Sequence, residues 1–464
     1  MSFRLDFFTP LSQSSSMRYA GGEGLRLRGA VAGLGLVFAG LGVVGSAWAD
    51  GPKTKIKARP AAVKSVKKLQ QAPQKQPEAR LLEVIALVDK GQLDAAIKVA
   101  GQLTQDVPNF RVAQLVYADL LRYRTGRFKG PGAIVAQSRP ATGTMLVKHS
   151  VPGDVIPGLV AADGDLQSHL QGLQQELKRR VHFANDMPAA GTIPNDFLML
   201  GTSVRHAIAI DASKSRLYLL LNEAGNLRVV DSYYVSVGKL GLDKLEEGDQ
   251  KTPQGIYFVG RQIPGPKLPD FYGKGALTVN YPNDWDRATG RAGSGIWLHG
   301  APPDQFSRVP EASDGCVVLA NPDLIALMQT VDLQTPVLIR DKLQWVAQAD
   351  SAQRKAGESF ATVMETWKSA RGSADQHKVA DLYAKNYVPV ESNQSLQTRM
   401  TAYFNGADVA LQDLSVYAWK DGKGEIRVVN LKLTSKAFAE GLKLRQYWQK
   451  SGSGWKILSE DVMG

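Results

Sequence analysis

The residues of this sequence best suited to covalent chemistry are a cysteine and a histidine. Cys316 is the only cysteine of the chain and directly follows Gly315. His299 lies seventeen positions upstream, at the end of the apolar run 296–298, and Gly300 follows it. A thiol becomes a strong nucleophile when a neighbouring imidazole takes its proton, so the pair would suit acyl transfer through a covalent cysteine intermediate.

The glycine before the cysteine would assist the same chemistry. It allows the backbone N–H groups of Gly315 and Cys316 to turn towards a developing oxyanion, where each donor is typically worth ~2.7–4 kcal/mol. Residue types alone leave two simpler interpretations open. Cys316 would then be a buried apolar thiol, and His299 a structural histidine with satisfied hydrogen bonds.

Length and composition limit the classes of protein to consider. A chain of 464 residues corresponds to two to four domains of about 100–200 residues. The apolar fraction of 44% and the charged fraction of 22% are those of a folded chain, which excludes disordered, collagenous and multi-span membrane proteins. One cysteine excludes an intramolecular disulfide and a multi-cysteine zinc site. We expect neither a metal nor another cofactor, because the other histidines form no ligand-spaced cluster: His149, His169, His182, His206 and His377.

The net charge of +12 is concentrated near the N-terminus. Residues 1–50 contribute +1, and residues 51–77, with eight Lys and Arg and no acid, contribute +8, which leaves +3 for residues 78–464. The folded region is therefore nearly balanced, and its charge predicts no nucleic-acid-binding surface.

Residues 1–49 are typical of a secretory signal peptide. Arg18, Arg26 and Arg28 flank the apolar run 30–45, and the small residues Ala47 and Ala49 end the segment. The run is shorter than the ~20 residues that cross a bilayer. We therefore expect cleavage after Ala49 and a periplasmic protein, or a membrane-anchored one if the leader stays uncleaved. A start at Met17 would give a leader of more usual length.

Two further regions precede the β-rich part of the chain. Residues 50–77 form a basic Lys/Pro tether without apolar periodicity. Residues 78–190 predict a helical, tetratricopeptide-like region, with helical spacing up to Gly126 and again over 166–183. A Gly/Pro-rich connector at 129–165 separates the two parts. This region and the C-terminal domain would dock an envelope protein partner or mediate self-association.

Two folded domains are predicted next, so the chain as a whole is multidomain. Residues 203–341 are mostly β, with one helix at 321–331 that Asn321 would cap. Residues 354–464 are α+β, because two helices precede a series of strands. The predicted strands of the first domain are 204–210, 216–221, 227–237, 256–259, 277–280, 296–298 and 336–340. The predicted elements of the second are helices 358–370 and 377–387 and strands 409–419, 425–435, 443–450 and 455–459.

The element order of residues 354–464, and their ending around Trp448 and Trp455, resemble the cone-shaped nuclear-transport-factor-like (SnoaL-like) fold. That fold hosts enzymes as well as pairing and pocket modules, so the resemblance does not by itself predict a reaction.

Three motifs lie in order within residues 203–340. They are G-D-x-x-T-P-x-G at 248–255, H-G at 299–300 and S-x-G-C at 313–316, with Y-P-N, D-R, G-R and G-I-W segments between the first two. Together they resemble the L,D-transpeptidase (YkuD) family. The resemblance implies that Cys316 is the nucleophile, His299 its base, and Gly315 with Cys316 the oxyanion hole. Ser313 and Gly300 are the predicted substrate contacts within these motifs.

Two positions depart from the pattern of that family. Asp314 stands where many members have a second histidine, and Val318 where many have an arginine. Arg287 or Arg291 could replace that arginine, because a guanidinium binds a carboxylate through two parallel hydrogen bonds. Each of the two could instead stabilise its own loop or stay solvated.

The reaction that the resemblance implies is acyl transfer on peptidoglycan stem peptides. Cys316 would attack the carbonyl at the L-centre of the third residue and release the terminal D-alanine, while His299 moves the proton. The thioester would pass to an amine of a neighbouring stem peptide, or to water in an L,D-carboxypeptidase that trims tetrapeptide to tripeptide. The overall architecture is similar to that of cell-shape L,D-carboxypeptidases, which leaves both outcomes open. A non-catalytic envelope scaffold is the alternative of another class.

Overall fold

The computed structural model of the protein describes residues 76–125, 163–184, 186–373, 375–387, 408–436, 438–452 and 454–463, with five further positions between 398 and 404. The predicted signal peptide, nearly all of the tether and most of the connector lie outside the described residues. Within the described ranges, no helix combines the length and the apolar character needed to cross a bilayer.

Helices form the N-terminal region, as the apolar spacing predicted. They are α1 (Pro77–Asp89), α2 (Leu93–Asp106), α3 (Arg111–Arg124) and α4 (Asp163–Ala184). Leu81, Val84, Ile85 and Val88 of α1 are buried in an apolar core shared by the four helices. α1 is followed by Gly91 at φ +72°, a left-handed conformation that glycine adopts without strain.

Eight strands close into a barrel, which confirms the mostly-β domain. They are β3 (His206–Asp211), β4 (Arg216–Glu223), β5 (Asn226–Ser236), β6 (Gly255–Pro264), β7 (Gly275–Val279), β8 (Trp297–His299), β9 (Val317–Leu319) and β10 (Pro336–Arg340). Their order around the barrel is β10, β3, β4, β5, β9, β8, β7 and β6. β8 and β9 are parallel, as are β3 and β10. Two helices lie in the connections, α5 (Asp284–Ala288) and α6 (Asn321–Thr330).

A five-stranded antiparallel sheet forms the C-terminal region. Its order is β15 (Gly454–Val462), β14 (Phe438–Ser451), β13 (Gly424–Ser435), β12 (Ala410–Asp421) and β2 (Phe197–Met199). The long helix α7 (Ser351–Gly372) contributes Phe360, Met364 and Trp367 to the core on this sheet. Assignment of the region to the nuclear-transport-factor-like fold stays a prediction.

The helix predicted at 377–387 is shorter in the structure, where α8 covers only Gln376–Ala380. The chain beyond it is drawn to the edge of the sheet. The Ile457 N–H donates to the Leu382 carbonyl at 2.7 Å, and the Ala384 N–H donates to the Ile457 carbonyl at 2.8 Å. These bonds to β15 replace the next helical turn.

The chain segments on either side of the barrel pair with each other. β2 precedes the barrel in sequence but pairs with β12, and β1 (Thr192–Pro194) pairs with β11 (Trp345–Ala347). Strands that precede the predicted domain limit at 203 are therefore hydrogen-bonded to strands that follow the barrel, on either side of the limit at 354. Strands of three residues are too short to show an alternating pattern, so the sequence did not reveal them.

A buried network of charges joins the helices to the barrel. Arg180 of α4 is 1% exposed and donates to Glu176 at 2.8 and 2.9 Å and to Glu78 at 3.0 Å. Arg216 of β4 also donates to Glu78, at 2.8 Å. The Arg180 guanidinium lies 3.9 Å from the centroid of the Tyr234 ring. The two arginines and the two glutamates therefore compensate each other's charge, and loss of one partner would leave an uncompensated buried charge.

Replacement of Arg180 tests this network. Arg180→Met should lower the free energy of unfolding by about 3–5 kcal/mol, because it leaves the buried Glu176 carboxylate without a cation. Urea denaturation followed by tryptophan fluorescence measures the loss. The control is Arg228→Gln, which breaks an exposed pair with Glu223 and should cost at most ~1 kcal/mol. Equally small losses in the two variants would show that the network does not stabilise the fold.

Candidate active site

The pairing of β8 and β9 turns Cys316 and His299 to the same outer face of the barrel. Leu298 lies opposite Val317, and His299 lies opposite Val318. Leu298 and Val317 belong to the apolar barrel core, so the alternation of side chains along a strand points His299 and Cys316 outwards. Cys316 directly precedes β9 and lies two residues before Val318, so it is a diagonal neighbour of His299 on this face.

The Cys316 thiol is half-buried and protonated in the resting protein. Its Sγ donates to the Gly295 carbonyl oxygen at 3.3 Å. Burial raises the pKa of Cys316, against smaller opposing effects of the Trp297 N–H and the positive charge of Arg308. Because the thiolate is the attacking species, such a thiol needs a base at the moment of reaction.

The His299 imidazole has the protonation state of such a base. It is 1% exposed, and burial lowers its pKa to about 4, so the ring is neutral at neutral pH. Its Nδ1 lies 2.7 Å from the Gly300 carbonyl oxygen. This contact assigns the proton to Nδ1 and leaves Nε2 as the acceptor. The rings of Phe271 and Tyr272 pack on the imidazole, with centroids 5.7 and 5.0 Å away.

Asn321 fixes the chain just after His299. A Cβ at Gly300 would lie 2.1 Å from the Asn321 Oδ1, so this close approach requires glycine. The Asn321 side chain accepts from the Lys274 N–H and donates to the Ala301 carbonyl, each at 2.8 Å. The prediction that Asn321 caps α6 is therefore wrong: Ala320 is the N-cap residue and makes no side-chain cap bond. The packing gives Gly300 a positioning role, and its predicted substrate contact stays a prediction.

The turn before Cys316 differs from the predicted oxyanion hole in one respect. Gly315 adopts φ +121°, and a Cβ there would lie 2.7 Å from the Lys251 carbonyl oxygen. Its N–H donates to the Ser313 Oγ at 3.1 Å, and the Ser313 hydroxyl donates to the Cys316 carbonyl at 2.6 Å. Ser313 is buried and holds the turn, and its predicted substrate contact stays a prediction. An oxyanion would have to displace this hydroxyl to reach the Gly315 N–H.

The T-P motif positions the same turn. The buried Thr252 hydroxyl donates to the Gly315 carbonyl and accepts from the Gly238 N–H, each at 2.8 Å. The motif's acid, Asp249, accepts from the Lys244 Nζ at 2.7 Å and from three backbone N–H groups. Burial alone would raise the pKa of Asp249, but these hydrogen bonds lower it to about 2. The motif thus forms a loop that is hydrogen-bonded to the turn before Cys316.

The two arginines predicted to bind a substrate carboxylate are bound by carboxylates of the protein. Arg291 lies 2.8 Å from Asp421 of β12 and 3.6 Å from Asp286. Arg287 pairs with Asp284. These contacts favour the loop-stabilising alternative, because Arg291 joins the barrel to the C-terminal sheet and Arg287 pairs within α5. The role of either arginine in binding a substrate carboxylate stays a prediction.

The N-terminal helices hold the loop between β8 and β9. The Phe306 ring packs on Phe110 in a tilted arrangement with centroids 4.3 Å apart, and the Phe306 N–H donates to the Asn109 carbonyl at 3.1 Å. The next residue, Ser307, donates to the buried Glu176 at 2.7 Å. The helical region therefore determines where this loop lies over the barrel.

Arg308 of this loop is a site residue that the sequence did not reveal. Its guanidinium carbon lies 4.5 Å from the centroid of Phe271, the ring that packs on His299. Its charge also acts on Cys316, as described above. No motif marks the position, because the contacts that bring it there come from distant helices.

The arrangement combines a protonated thiol, a neutral imidazole and a guanidinium at one face of the barrel. These groups suit acyl transfer through a cysteine intermediate. In the part of the chain that the structure describes, no cluster of three or more His, Cys, Asp or Glu could hold a metal ion.

Several solved structures are similar to this chain. Bd1075 of Bdellovibrio bacteriovorus is 26% identical, with a TM-score of 0.48 over 58% of this chain and 98% of that protein. The helical cell shape determining protein Pgp2 of Campylobacter jejuni is 24% identical, with a TM-score of 0.45 over 58% and 95%. An L,D-transpeptidase of Mycobacterium smegmatis is 15% identical, with a TM-score of 0.21 over 29% and 58%.

Sequence comparison identifies the barrel itself. YafK of Escherichia coli strain K12, which carries an L,D-transpeptidase designation, is 28% identical over 134 residues, or 29% of this chain and 49% of YafK. The chain thus spans about half the length of the curated relatives it matches. Residues 205–339 match the family YkuD, the L,D-transpeptidase catalytic domain. This part of the chain is therefore an L,D-transpeptidase catalytic domain of the YkuD family.

Proposed function

We propose that the protein is an exported cysteine acyltransferase of the L,D-transpeptidase family that modifies peptidoglycan in the periplasm. The observation that carries the proposal is the β8–β9 pair, which turns Cys316 and His299 to one face of a YkuD domain. The bond broken joins the L-centre carbonyl of the third stem residue to the terminal D-alanine.

The protonation states support general-base activation of the thiol. As Sγ attacks the carbonyl carbon, His299 Nε2 takes the thiol proton and the carbonyl oxygen becomes an oxyanion. The N–H groups of Cys316 and, after displacement of the Ser313 hydroxyl, Gly315 would stabilise that charge. The imidazolium then gives its proton to the D-alanine nitrogen as the C–N bond breaks, which leaves a thioester on Cys316.

The thioester is resolved either by an amine of a neighbouring stem peptide or by water. One observation favours water, and with it an L,D-carboxypeptidase. Val318 stands where many family members have an arginine, and it is 2% exposed opposite His299. This position offers no cation to the carboxylate of an acceptor peptide, whereas water needs none.

Incubation with tetrapeptide muropeptides tests the proposal and separates the two outcomes. Tripeptide alone identifies an L,D-carboxypeptidase, and dimers linked between third residues identify a transpeptidase. Absence of both products over a broad pH range would favour the non-catalytic envelope scaffold.

Substitution of the two reactive residues should remove the activity. Cys316→Ala and His299→Ala should each lower kcat for D-alanine release by at least about 10³-fold, since neither group can act without the other. His377→Ala, an exposed histidine of α8, is the matched control and should keep full turnover. Turnover in Cys316→Ala would exclude a covalent cysteine mechanism.

The reactivity of Cys316 should follow pH in a way that distinguishes general-base activation from a resting thiolate–imidazolium pair. Because burial raises the thiol pKa, the rate of alkylation by iodoacetamide should rise through a midpoint above the ordinary thiol value. Mass spectrometry of the single-cysteine protein gives the rate. A plateau of high reactivity between pH 5 and 8 would instead indicate a preformed thiolate–imidazolium pair. Such a pair is incompatible with a neutral His299.

Thr252 offers a test of the cysteine turn that leaves the reacting groups intact. Thr252→Val keeps the shape but leaves the Gly238 N–H and Gly315 carbonyl unpaired, a change worth ~1–3 kcal/mol. Because this turn positions Cys316 for attack, loss of its two hydrogen bonds should lower kcat about 10- to 100-fold. Thr252→Ser keeps the hydroxyl and should stay within about threefold of the wild type. Full activity of the valine variant would show that this hydroxyl does not position Cys316.

A further inference from the structure

Arg308 is a half-buried cation that packs on Phe271, the ring next to His299, and the acids near it in sequence pair with other cations. In the described residues Arg308 takes part in no ion pair, although three acids lie within six positions of it. Asp304 pairs with Arg111 at 3.9 Å, Glu311 with Arg179 at 2.7 Å and Asp314 with Lys239 at 3.3 Å.

The backbone of Arg308 is held in place before any ligand arrives. The Tyr234 hydroxyl donates to the Arg308 carbonyl at 3.1 Å, and Ser307 is bonded to Glu176. Val309 packs against Gly172 of α4, where a Cβ would lie 3.1 Å from it. A side chain on such a fixed backbone loses little freedom when it binds an anion.

The surroundings of the guanidinium favour an anionic ligand. One face is covered by the Phe271 ring, and burial disfavours the charged form of Arg308. A guanidinium nevertheless stays protonated in proteins, so the unpaired charge would gain from a carboxylate. Arg287 and Arg291 already pair with protein carboxylates, so they would gain less from a further carboxylate than Arg308.

We propose that Arg308 binds the terminal carboxylate of the donor stem peptide and so selects donors in which the scissile bond is followed by a single residue with a free carboxylate. The inference rests on the proposed function. In such a donor the carboxylate carbon is two bonds, at most about 3 Å, from the scissile nitrogen, so a cation next to His299 suits it. A donor that ends in an amide, or continues with another residue, would leave the guanidinium unpaired.

Two donors that differ only in this group test the proposal: the tetrapeptide with a free D-alanine carboxylate and the same peptide with D-alanine amide. Wild-type protein should prefer the acid in kcat/KM by about 10- to 100-fold, as expected for hydrogen bonds to a charged group. Arg308→Gln should lose that preference by slowing the acid and leaving the amide within about threefold. Arg308→Lys should retain part of it, and Arg261→Gln, an exposed arginine of β6, should retain all of it.

A second readout separates carboxylate binding from an effect on the thiol. If Arg308→Gln slows acid and amide equally, and slows iodoacetamide alkylation by the same factor, Arg308 acts on Cys316 and the proposal is wrong. Thermal denaturation of each variant shows whether it is folded.

Binding of the two peptides to the Cys316→Ala protein tests the role of Arg308 independently of turnover. If the wild type turns over no muropeptide, the proposed reaction is wrong, but the proposed carboxylate contact can still be tested. Calorimetric titration should give tighter binding of the acid than of the amide. That difference should disappear in Cys316→Ala/Arg308→Gln. Equal affinity for the two peptides in the Cys316→Ala protein would overturn the role of Arg308.

Discussion

The parallel register of β8 and β9 is the constraint on which the candidate active site depends. A slip of one residue would turn His299 into the barrel core and Leu298 outwards, because side chains alternate along a strand. Each strand has only three residues, so their own hydrogen bonds are few. Contacts outside the pair must hold the register, and Thr252 and Asn321 provide them at its two ends.

The helical region is part of the structure around the candidate active site. Its buried charges extend through Glu176 to Ser307, and the next residue carries the unpaired guanidinium. A perturbation of the helices would therefore move the loop that carries Arg308. Three parts of the chain thus contribute to the candidate site. The barrel carries Cys316 and His299, the motif loops hold the turn before Cys316, and the helices position the loop that contains Arg308.

The sequence marks Cys316 and His299 as the candidate pair because their signals are local. A glycine that must adopt φ +121° directly precedes Cys316, and His299 ends an apolar strand. The barrel strands were recognisable from β-branched and aromatic residues for the same reason. The short helix α5 was overlooked although its capping box, Asn283 with Asp286, is a readable signal.

What the sequence could not reveal depends on residues that are distant along the chain. The partner of Arg291 is Asp421, 130 positions away, so its role at the boundary with the C-terminal sheet has no local signature. Arg308 is placed by helices more than a hundred residues upstream. The bond between Ser313 and Gly315 is local, but several donors and acceptors compete within that turn, and sequence alone does not rank them.

The exchange of strands across the barrel makes the protein hard to divide by truncation. A fragment that starts at 203 would lack β2 and expose the edge of β12, and a barrel that stops at 341 would lose β11, the partner of β1. Sheet edges left open in this way invite aggregation. Genetic dissection of the barrel from the C-terminal sheet therefore calls for point changes at their junction, such as the Asp421 carboxylate, rather than for excised halves.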